Sequence, residues 1–224
     1  MKTETLVLVL LGFLLAAPAE AYDGTANADD IVVGCANRGG TGNRTWLCIN
    51  GSFTQLDTTC DLDAHVTIYA LGGNDAVTAV NVYGSYYCGG WATWNAVDLG
   101  GYSLYVYGGS GDDTIVGGDG SGYYDFYGDS NNDWVQGAGG GSPSDNIGGS
   151  GDDIVISDGG SYLHNLYGGT GDDCCEDENG EWGVFDAGEN AGDLDFCALH
   201  GGLDSTDGCD QVGGDDDTCQ LFFN

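Results

Sequence analysis

The sequence predicts an all-β protein, a parallel β-helix solenoid with turns of about 20 residues and disulfide-bonded ends. Three observations lead to this fold class. A motif recurs every 20 residues between Gly108 and Cys175. Short segments rich in Val, Tyr and Thr separate glycine-rich turns, as is typical of strands. The nine cysteines lie before the regular repeats or at and after their end.

The regular repeat consists of four copies of a glycine-rich turn followed by a short apolar segment. Each copy begins with a glycine and has an aspartate as its sixth residue. The copies begin at Gly108, Gly128, Gly148 and Gly168, and their aspartates are Asp113, Asp133, Asp153 and Asp173. The copy at Gly128 lacks two of the glycines that the pattern contains.

These copies resemble the G-G-x-G-x-D-x-U-x nonapeptide of the repeats-in-toxin (hemolysin-type) calcium-binding family, where U is a large apolar residue. Gly108–Val116 and Gly148–Ile156 fit at every specified position, and Gly168–Glu176 fits with Cys175 as U. The resemblance covers roughly a third of the chain. It implies a β-roll in which calcium ions lie between stacked turns.

The spacing also has a physical reason. A glycine pair lets the backbone take positive φ and exposes carbonyl oxygens, and Ca²⁺ prefers six to eight oxygen ligands. Stacked turns place successive aspartates at the strand spacing of about 4.8 Å, where uncompensated carboxylates would repel. The candidate ligands are the first, third and sixth residues of each turn: Gly108, Ser110, Asp113, Gly128, Ser130, Asp133, Gly148, Ser150, Asp153, Gly168, Thr170 and Asp173. Four turns leave three gaps, so we expect about three ions.

Two irregular copies precede the regular ones. Gly72–Val77 reads as a calcium turn shortened by two residues, and Gly89–Val97 has Trp94 at the aspartate position. We therefore expect a weak or absent site at Asp75 and no site in the Gly89 turn. The half-turns between the calcium-type turns have Gly122, Ser142 and Tyr162 at the aspartate position, so only one side of the solenoid should carry calcium.

The repeat register also predicts which side chains point inward and outward. The expected core positions are Val106, Ile115, Phe126, Val135, Asn146, Val155, Leu166 and Cys175, among which Asn146 is the polar exception. Tyr107, Tyr127, Ile147 and Tyr167 should form an outward ladder. The ladder either stiffens the sheet by aromatic stacking or binds a carbohydrate or cell-surface partner, and the first interpretation is favoured.

The two ends of the chain differ from the repeats. Residues 1–21 have the charge, apolar run and small-residue cleavage pattern of a secretory signal peptide, and no transmembrane anchor is expected because the run is too short. We assign 22–64 to an N-terminal cap, 65–176 to calcium-binding β-helix repeats, and 177–224 to an acidic, cysteine-rich C-terminal cap. The repeat is expected to stop after Cys175.

The cysteines indicate an oxidising, extracellular compartment. Because nine is an odd number, one thiol is expected to be free, buried or intermolecular. Cys174 and Cys175 should point to opposite faces of a strand, so we predict that Cys174 is bridged to the tail and that Cys175 belongs to the core. A zinc site is the alternative use of these cysteines, and their spacing does not favour it.

The charge excludes one class of function. With 3 Lys and Arg against 36 Asp and Glu, the net charge is −33, which leaves no basic surface for nucleic acid. Such acidity with 43 glycines could instead indicate disorder. The regularly spaced aromatic and β-branched residues favour a fold that is ordered by Ca²⁺.

The function that the sequence favours is that of a secreted, non-enzymatic calcium-binding protein with a structural, surface or adhesion role. A self-assembling filament or matrix subunit is the alternative, and a polysaccharide-acting β-helix enzyme is less favoured. No H-E-x-x-H or G-x-S-x-G motif occurs, and the basic residue that such lyases use is not found among the repeats. The outward row Thr114, Trp134, Ile154 and Cys174 is no threonine array, which disfavours ice binding.

Overall fold

The structure is a computed structural model of the 224-residue chain. It describes residues 20–37, 40, 42–60, 64–80, 88, 103–117, 122–137, 144–157, 164–177, 183–186, 188, 195–199, 205–207 and 211–213.

The described residues form strands in two sheets and contain no helix, which confirms the all-β prediction. In spatial order, the eight-stranded sheet contains β1 (Glu20–Asp23), β5 (Val66–Tyr69), β7 (Ser103–Ser110), β9 (Tyr123–Ser130), β11 (Ser144–Ser150), β13 (His164–Thr170), β15 (Gly183–Asp186) and β17 (Ser205–Asp207). The ten-stranded sheet contains β18 (Gln211–Gly213), β16 (Phe196–Leu199), β14 (Cys174–Asp177), β12 (Ile154–Ser157), β10 (Trp134–Gly137), β8 (Thr114–Val116), β6 (Ala76–Ala79), β2 (Asp30–Asn37), β3 (Asn43–Ile49) and β4 (Ser52–Gln55). Within these described ranges no helix could span a membrane.

The chain alternates between the two sheets. One strand of the eight-stranded sheet is followed by one of the ten-stranded sheet, and we call each such pair a rung. Neighbouring rungs pair in parallel, with Tyr107 beside Tyr127 and Ile115 beside Val135. This 20-residue register is the one that the repeat predicts. Only β2–β3 and β3–β4 pair antiparallel among the described strands.

The core lies between the inner faces of the two sheets, because alternate side chains of each strand point toward the other sheet. All eight predicted core positions are buried, from Val106 to Cys175. Asn146 is buried between Phe126 and Leu166 of the adjoining strands. Neither its Oδ1 nor its Nδ2 has a hydrogen-bond partner among the described residues. The core prediction is therefore confirmed, including its polar exception.

The turn that contains Asp75 is full length, so the prediction of a turn shortened by two residues is wrong. Gly72 bridges to Ser110 and Tyr69 pairs with Tyr107, so the turn begins at Ala70 and reaches Asp75 as its sixth residue. Ala70 and Leu71 take the places of the glycine pair. This substitution hid the start of the turn in the sequence.

The interpretation of Gly89–Val97 as a rung between Asp75 and Asp113 is also wrong. Strand β5 pairs directly with β7, and β6 pairs directly with β8. No strand separates them in either sheet, so the chain between 80 and 103 is inserted between two rungs that contact each other. Gly89–Val97 itself lies outside the described residues. Among the half-turn positions that lack the aspartate, Ser142 and Tyr162 also lie outside them, whereas Gly122 is described.

The rungs extend beyond the predicted repeat at both ends. Strands β15 and β16 continue the two sheets after β13 and β14, and β17 and β18 continue them again. The prediction that the repeat stops after Cys175 is therefore wrong for the strands. At the other end, β1 and β2 form a first rung, which begins just before the predicted N-terminal cap and continues into it. Strands β3 and β4 then extend the sheet from β2 by antiparallel pairing.

Disulfides secure the N-terminal part of the fold. Cys35 is bonded to Cys60, and Cys48 to Cys88, so the inserted chain is tied back to β3. Cys174 and Cys197 are also disulfide-bonded, whereas Cys175 is a free thiol buried in the core. The assignments of Cys174 to a bridge and Cys175 to the core are confirmed, and the position of the Cys174 partner in the tail stays a prediction. Because these six bonded sulfurs are oxidised, none of them can serve as a zinc thiolate.

Candidate metal centre

The turns that join the two sheets share one backbone conformation at their second and fourth residues. Positive φ occurs at the second residue of the turns, namely Leu71, Gly109, Asp129, Gly149 and Gly169. It also occurs at the fourth residue, namely Gly73, Gly111, Asn131, Gly151 and Gly171. Glycine takes this conformation without steric cost, and Asp and Asn tolerate it better than most residues. The copy at Gly128, with φ of 77° at Asp129 and 80° at Asn131, therefore keeps the geometry of the others.

The sixth residues of the turns form a column that we call the aspartate column: Asp75, Asp113, Asp133, Asp153 and Asp173. Their exposed fractions are only 0–3%. Each carboxylate accepts, through Oδ1, a hydrogen bond from the backbone N–H of the aspartate in the preceding rung. The distance is 2.8 Å from Asp113 to Asp133, from Asp133 to Asp153 and from Asp153 to Asp173. One oxygen of each side chain therefore connects adjacent rungs.

The other oxygen of each carboxylate has no such role. Oδ2 of all five residues is buried and has no hydrogen-bond partner among the described residues. An ionised buried carboxylate needs a compensating charge or hydrogen bonds. This repeated defect is the strongest sign of a functional site in the structure, because natural proteins leave few buried polar atoms unsatisfied.

At the first position of three turns, a glycine leaves room beside this oxygen. A methyl group on Gly148 would lie 2.5 Å from Oδ2 of Asp153 and 2.7 Å from the carbonyl oxygen of Gly168 in the next rung. Gly108 and Gly128 have the corresponding two neighbours, an aspartate Oδ2 of their own rung and a glycine carbonyl oxygen of the next rung. A carboxylate oxygen and a carbonyl oxygen from adjacent rungs therefore converge in three successive gaps. Hard oxygen donors of this mixed kind suit Ca²⁺.

The pKa values of the column carboxyls are raised above the ordinary range for aspartate. Burial is the main cause for each group, and a neighbouring carboxylate adds to it, while the Oδ1 hydrogen bond acts in the opposite direction. The pKa rises to about 8 for Asp133 and Asp173, about 7 for Asp75, and about 6 for Asp113 and Asp153. Without a cation, the column therefore holds protons at pH values where an exposed aspartate would be ionised.

Side chains alone do not make a complete metal site here. In the part of the chain that the structure describes, no group of three or more His, Cys, Asp and Glu side chains is arranged to hold one ion. A calcium ion between rungs would need carbonyl oxygens beside the carboxylates, as the first-position glycines supply. When these carbonyl oxygens are counted together with the carboxylates, the residues fit Ca²⁺.

The third residues of the turns lie at the exposed side and are already engaged. The carbonyl of Ser150 accepts a 2.7 Å hydrogen bond from Asn131 N–H, and that of Thr170 accepts a 2.8 Å bond from Gly151 N–H. The Ser110 and Ser130 carbonyls accept equivalent bonds. A carbonyl has a second lone pair, so the place of these four residues among the ligands stays a prediction.

A second ladder, absent from the sequence analysis, runs along the fifth residues of the turns. The backbone N–H of Asn132 donates to Oδ1 of Asp112 at 3.2 Å, and that of Asp152 donates to Oδ1 of Asn132 at 3.0 Å. These bonds run toward the preceding rung, opposite to those of the aspartate column. The fifth residues also line an open groove of about 330 Å³, beside Thr114, Trp134 and Ile154. In the sequence, the Asn or Asp that precedes each column aspartate could have indicated this ladder.

The column continues at both ends with residues that the sequence analysis did not select. Asp195 accepts a 3.0 Å hydrogen bond from Asp173 N–H, 22 residues after it rather than 20. Asp29 N–H donates to Oδ1 of Asp75 at 2.7 Å. The Asp29 carboxylate itself accepts from the Thr25 backbone and hydroxyl and from the Asn50 amide, so it differs from the five column members. The spacing of Gly24 to Asp29 matched the turn motif and could have revealed this end.

At Asp75 the site is more crowded than in the three gaps above. Ala70 occupies the register position of Gly108, so a methyl group stands where the glycines leave space. Oδ2 of Asp75 is nevertheless buried and unpartnered among the described residues. The expectation of a weak or absent site there stays a prediction.

The outward tyrosines lie in the eight-stranded sheet. Tyr107 stacks on Tyr127 with ring centroids 4.6 Å apart and an interplanar angle of 8°, and on Tyr69 at 5.1 Å and 17°. The predicted stacking is confirmed, and Tyr69 extends it. Because Tyr107 has a ring against each face, a sugar cannot stack on either face of it.

The twelve predicted ligands therefore fall into three rows that follow the stack of rungs. The four glycines lie at the unpartnered oxygens of Asp113, Asp133 and Asp153, and the serines and Thr170 lie in a neighbouring row. Comparisons with protein-family models, with curated proteins and with solved structures find no match to this chain.

Proposed function

We propose that this is a secreted calcium-binding protein with a structural, surface or adhesion role, in which Ca²⁺ lies between the rungs of a parallel β-helix (β-roll). The observation that carries the proposal is the aspartate column with its five buried, unpartnered Oδ2 atoms. The proposal assigns the protein no reaction.

The chemistry of the column favours Ca²⁺ over other common ions. Ca²⁺ accepts irregular sets of carboxylate and carbonyl oxygens, whereas Mg²⁺ demands near-ideal octahedral geometry and retains several waters. Zinc prefers nitrogen and sulfur ligands, and the column offers neither. Gly128, Gly148 and Gly168 would supply carbonyl oxygens to the ions that neutralise Asp113, Asp133 and Asp153.

Calcium would also serve as a folding switch. The chain carries a net charge of −33, so the metal-free protein repels itself. Extracellular modules bind Ca²⁺ with dissociation constants of about 10⁻⁴–10⁻³ M. A protein with such constants would be ordered after export and loosened where calcium is scarce. The predicted signal peptide and the observed disulfides both suit this location.

The test is a calcium titration of the mature, oxidised protein by calorimetry and circular dichroism, with Mg²⁺ as the control ion. We expect about three ions to bind and both the β-structure signal and the melting temperature to rise. Asp153→Asn should remove one or two of these ions, because Asp153 borders two gaps. Asp145→Asn is the matched control, since Asp145 lies on the outer face of β11 and the same charge is lost outside the column.

Two results would contradict the proposal. One is the absence of any calcium-dependent change in the wild-type protein. The other is an equal loss of calcium in Asp153→Asn and Asp145→Asn, which would show that Ca²⁺ responds to net charge and not to the column.

A further inference from the structure

The stacked tyrosines of the eight-stranded sheet are arranged for a covalent reaction. We propose that Tyr69, Tyr107 and Tyr127 form an oxidative cross-linking site, at which two adjacent phenol rings of the same chain couple to dityrosine. The site lies on the outer face of the sheet, apart from the aspartate column, and does not depend on calcium binding for its chemistry.

The parallel register supplies the proximity that the coupling requires. Tyr69, Tyr107 and Tyr127 are direct register partners on β5, β7 and β9. Their rings are nearly parallel, with centroids 5.1 and 4.6 Å apart. Adjacent phenol rings are therefore held face to face and close together. Holding two reactants in such an arrangement replaces a bimolecular encounter with an intramolecular step.

The rings are also accessible to an oxidant. Tyr69 is 38% exposed, and Tyr107 and Tyr127 are half-buried. The ordinary pKa of a tyrosine hydroxyl is about 10, so the reacting species at neutral pH is the neutral phenol, which must lose a proton together with an electron.

The co-reactant is a peroxide that acts through a one-electron oxidant such as a haem peroxidase. Each of two phenols loses one electron and its hydroxyl proton, and the resulting phenoxyl radicals join through ring carbons ortho to oxygen. The hydrogens on those carbons then move to the oxygens, which restores both phenols. Two protons and two electrons leave in total, and they reduce one hydrogen peroxide to two water molecules.

The chain contains its own control position. Tyr167 occupies the same outward column, but Ile147 separates it from Tyr127 and Asp186 lies on its other side. Tyr167 therefore has no tyrosine ring on a neighbouring strand in this column. Oxidation of Tyr167 therefore serves as the control, because this tyrosine lies in the same column but lacks a stacked tyrosine.

A cross-link would stabilise the fold in the manner of a disulfide. Tyr69 and Tyr107 flank the inserted chain, and a bond between them closes a loop of 38 residues. Closing a loop of this length restricts the unfolded chain and thereby favours the folded one. Such a bond would reinforce the contact between the two rungs that the inserted chain separates in sequence.

The experiment treats the mature, disulfide-bonded protein with a haem peroxidase and hydrogen peroxide, and then measures dityrosine fluorescence and maps peptides by mass spectrometry. We expect a product two hydrogen masses lighter, still monomeric in denaturing gels, in which Tyr107 is joined to Tyr69 or Tyr127. Tyr107→Phe should lower the yield of intrachain dityrosine at least about tenfold, because Tyr69 and Tyr127 then stack on a ring that has no hydroxyl and cannot couple. Tyr167→Phe should leave the yield unchanged.

Phe keeps the stacked ring, so the fold of Tyr107→Phe can be verified by circular dichroism before oxidation. Three outcomes would overturn the proposal: no dityrosine in the wild type, cross-links that join different chains or that involve Tyr167, or an unchanged yield in folded Tyr107→Phe.

Discussion

The backbone N–H of Asp133 donates a 2.8 Å hydrogen bond to Oδ1 of Asp153 in the next rung, while Oδ2 of Asp153 has no partner among the described residues. One carboxyl group thus joins two rungs through one oxygen and keeps a buried, unpartnered second oxygen. The same relationship recurs along the aspartate column. It gives the metal-free protein a characteristic dependence on pH.

The metal-free protein should become less stable as the pH rises from about 4 to about 8. The column pKa values are about 6 to 8 in the folded state, against an ordinary value of 3.8. The folded state therefore binds more protons than the unfolded state in this range, and its stability decreases as those protons are lost. Urea denaturation of chelator-treated protein at several pH values would measure this slope.

Saturating calcium should reverse the sign of that slope. An ion that neutralises the carboxylates lowers their folded-state pKa, so stability should then decrease toward low pH as protons displace the ion. Asp133→Asn should flatten the metal-free slope near pH 8. A metal-free protein whose stability increases toward pH 8 would show that the column carboxylates are already compensated.

Substitution of a first-position glycine should disrupt one of the gaps that we propose to hold calcium. In Gly148→Ala the new methyl group meets Oδ2 of Asp153 and the Gly168 carbonyl, and we expect a loss of about 1–3 kcal/mol in unfolding free energy from overpacking. We also expect fewer bound calcium ions. Chemical denaturation and calorimetric titration would measure the two effects.

Gly42→Ala is the matched control for this substitution. Gly42 has φ of 89° with nothing near its absent Cβ, so Ala there introduces backbone strain of about 1–2 kcal/mol without a contact. Calcium stoichiometry should be unchanged. Equal calcium loss in both variants would indicate a general effect of destabilisation.

Replacing the buried amide of Asn146 should stabilise the protein. Leu has nearly the same shape, and Asn146→Leu removes two buried polar groups that have no partner among the described residues. We expect an increase of about 1–3 kcal/mol in unfolding free energy. Asn165→Leu on the outer face is the control, because Asn165 Nδ2 donates to Asp145 Oδ1 at 2.7 Å and this bond would be lost. A destabilised Asn146→Leu would show that the amide is satisfied in solution.

The thiol of Cys175 should be unreactive in the folded protein. It is fully buried, and burial together with the nearby Asp173 carboxylate raises its pKa, so little thiolate forms. An alkylating reagent should label Cys175 only after the protein has been denatured, with reductant left out so that the disulfides stay intact. Peptide mapping would detect the label. Cys175→Ala should remove that labelled peptide. Labelling of Cys175 in the native protein would contradict the buried position.

The sequence predicted the rungs well where the period is constant. From Val106 to Cys175 the 20-residue spacing identified the core positions, Cys175 among them, and the stacking of Tyr107 on Tyr127. Neighbouring rungs pair through the strand backbones and through the turn aspartates. This pairing does not require a constant number of residues between one rung and the next. Asp75 and Asp113 are therefore neighbours at a separation of 38 residues, and Asp173 and Asp195 at 22.

The turn at Ala70 could not be predicted from composition. Leu71 takes φ of 80° there, a conformation that residues with a Cβ seldom adopt. Contacts with the neighbouring rung hold it in place, since Ser110 N–H donates to the Leu71 carbonyl. The unpartnered Oδ2 atoms were likewise not evident from spacing, because they depend on which carboxylate oxygen the next rung uses.

The carboxylate of Asp29 gives the aspartate column a direction. Every later member offers its Oδ1 to the rung before it, but Asp29 turns both oxygens onto Thr25 and Asn50. A preceding copy that donated to Asp29 in the manner of the column would compete with the bonds from Thr25 and Asn50. If copies of this protein stack end to end, the hydrogen bond that joins the rungs of the column would therefore not continue unchanged across the Asp29 end.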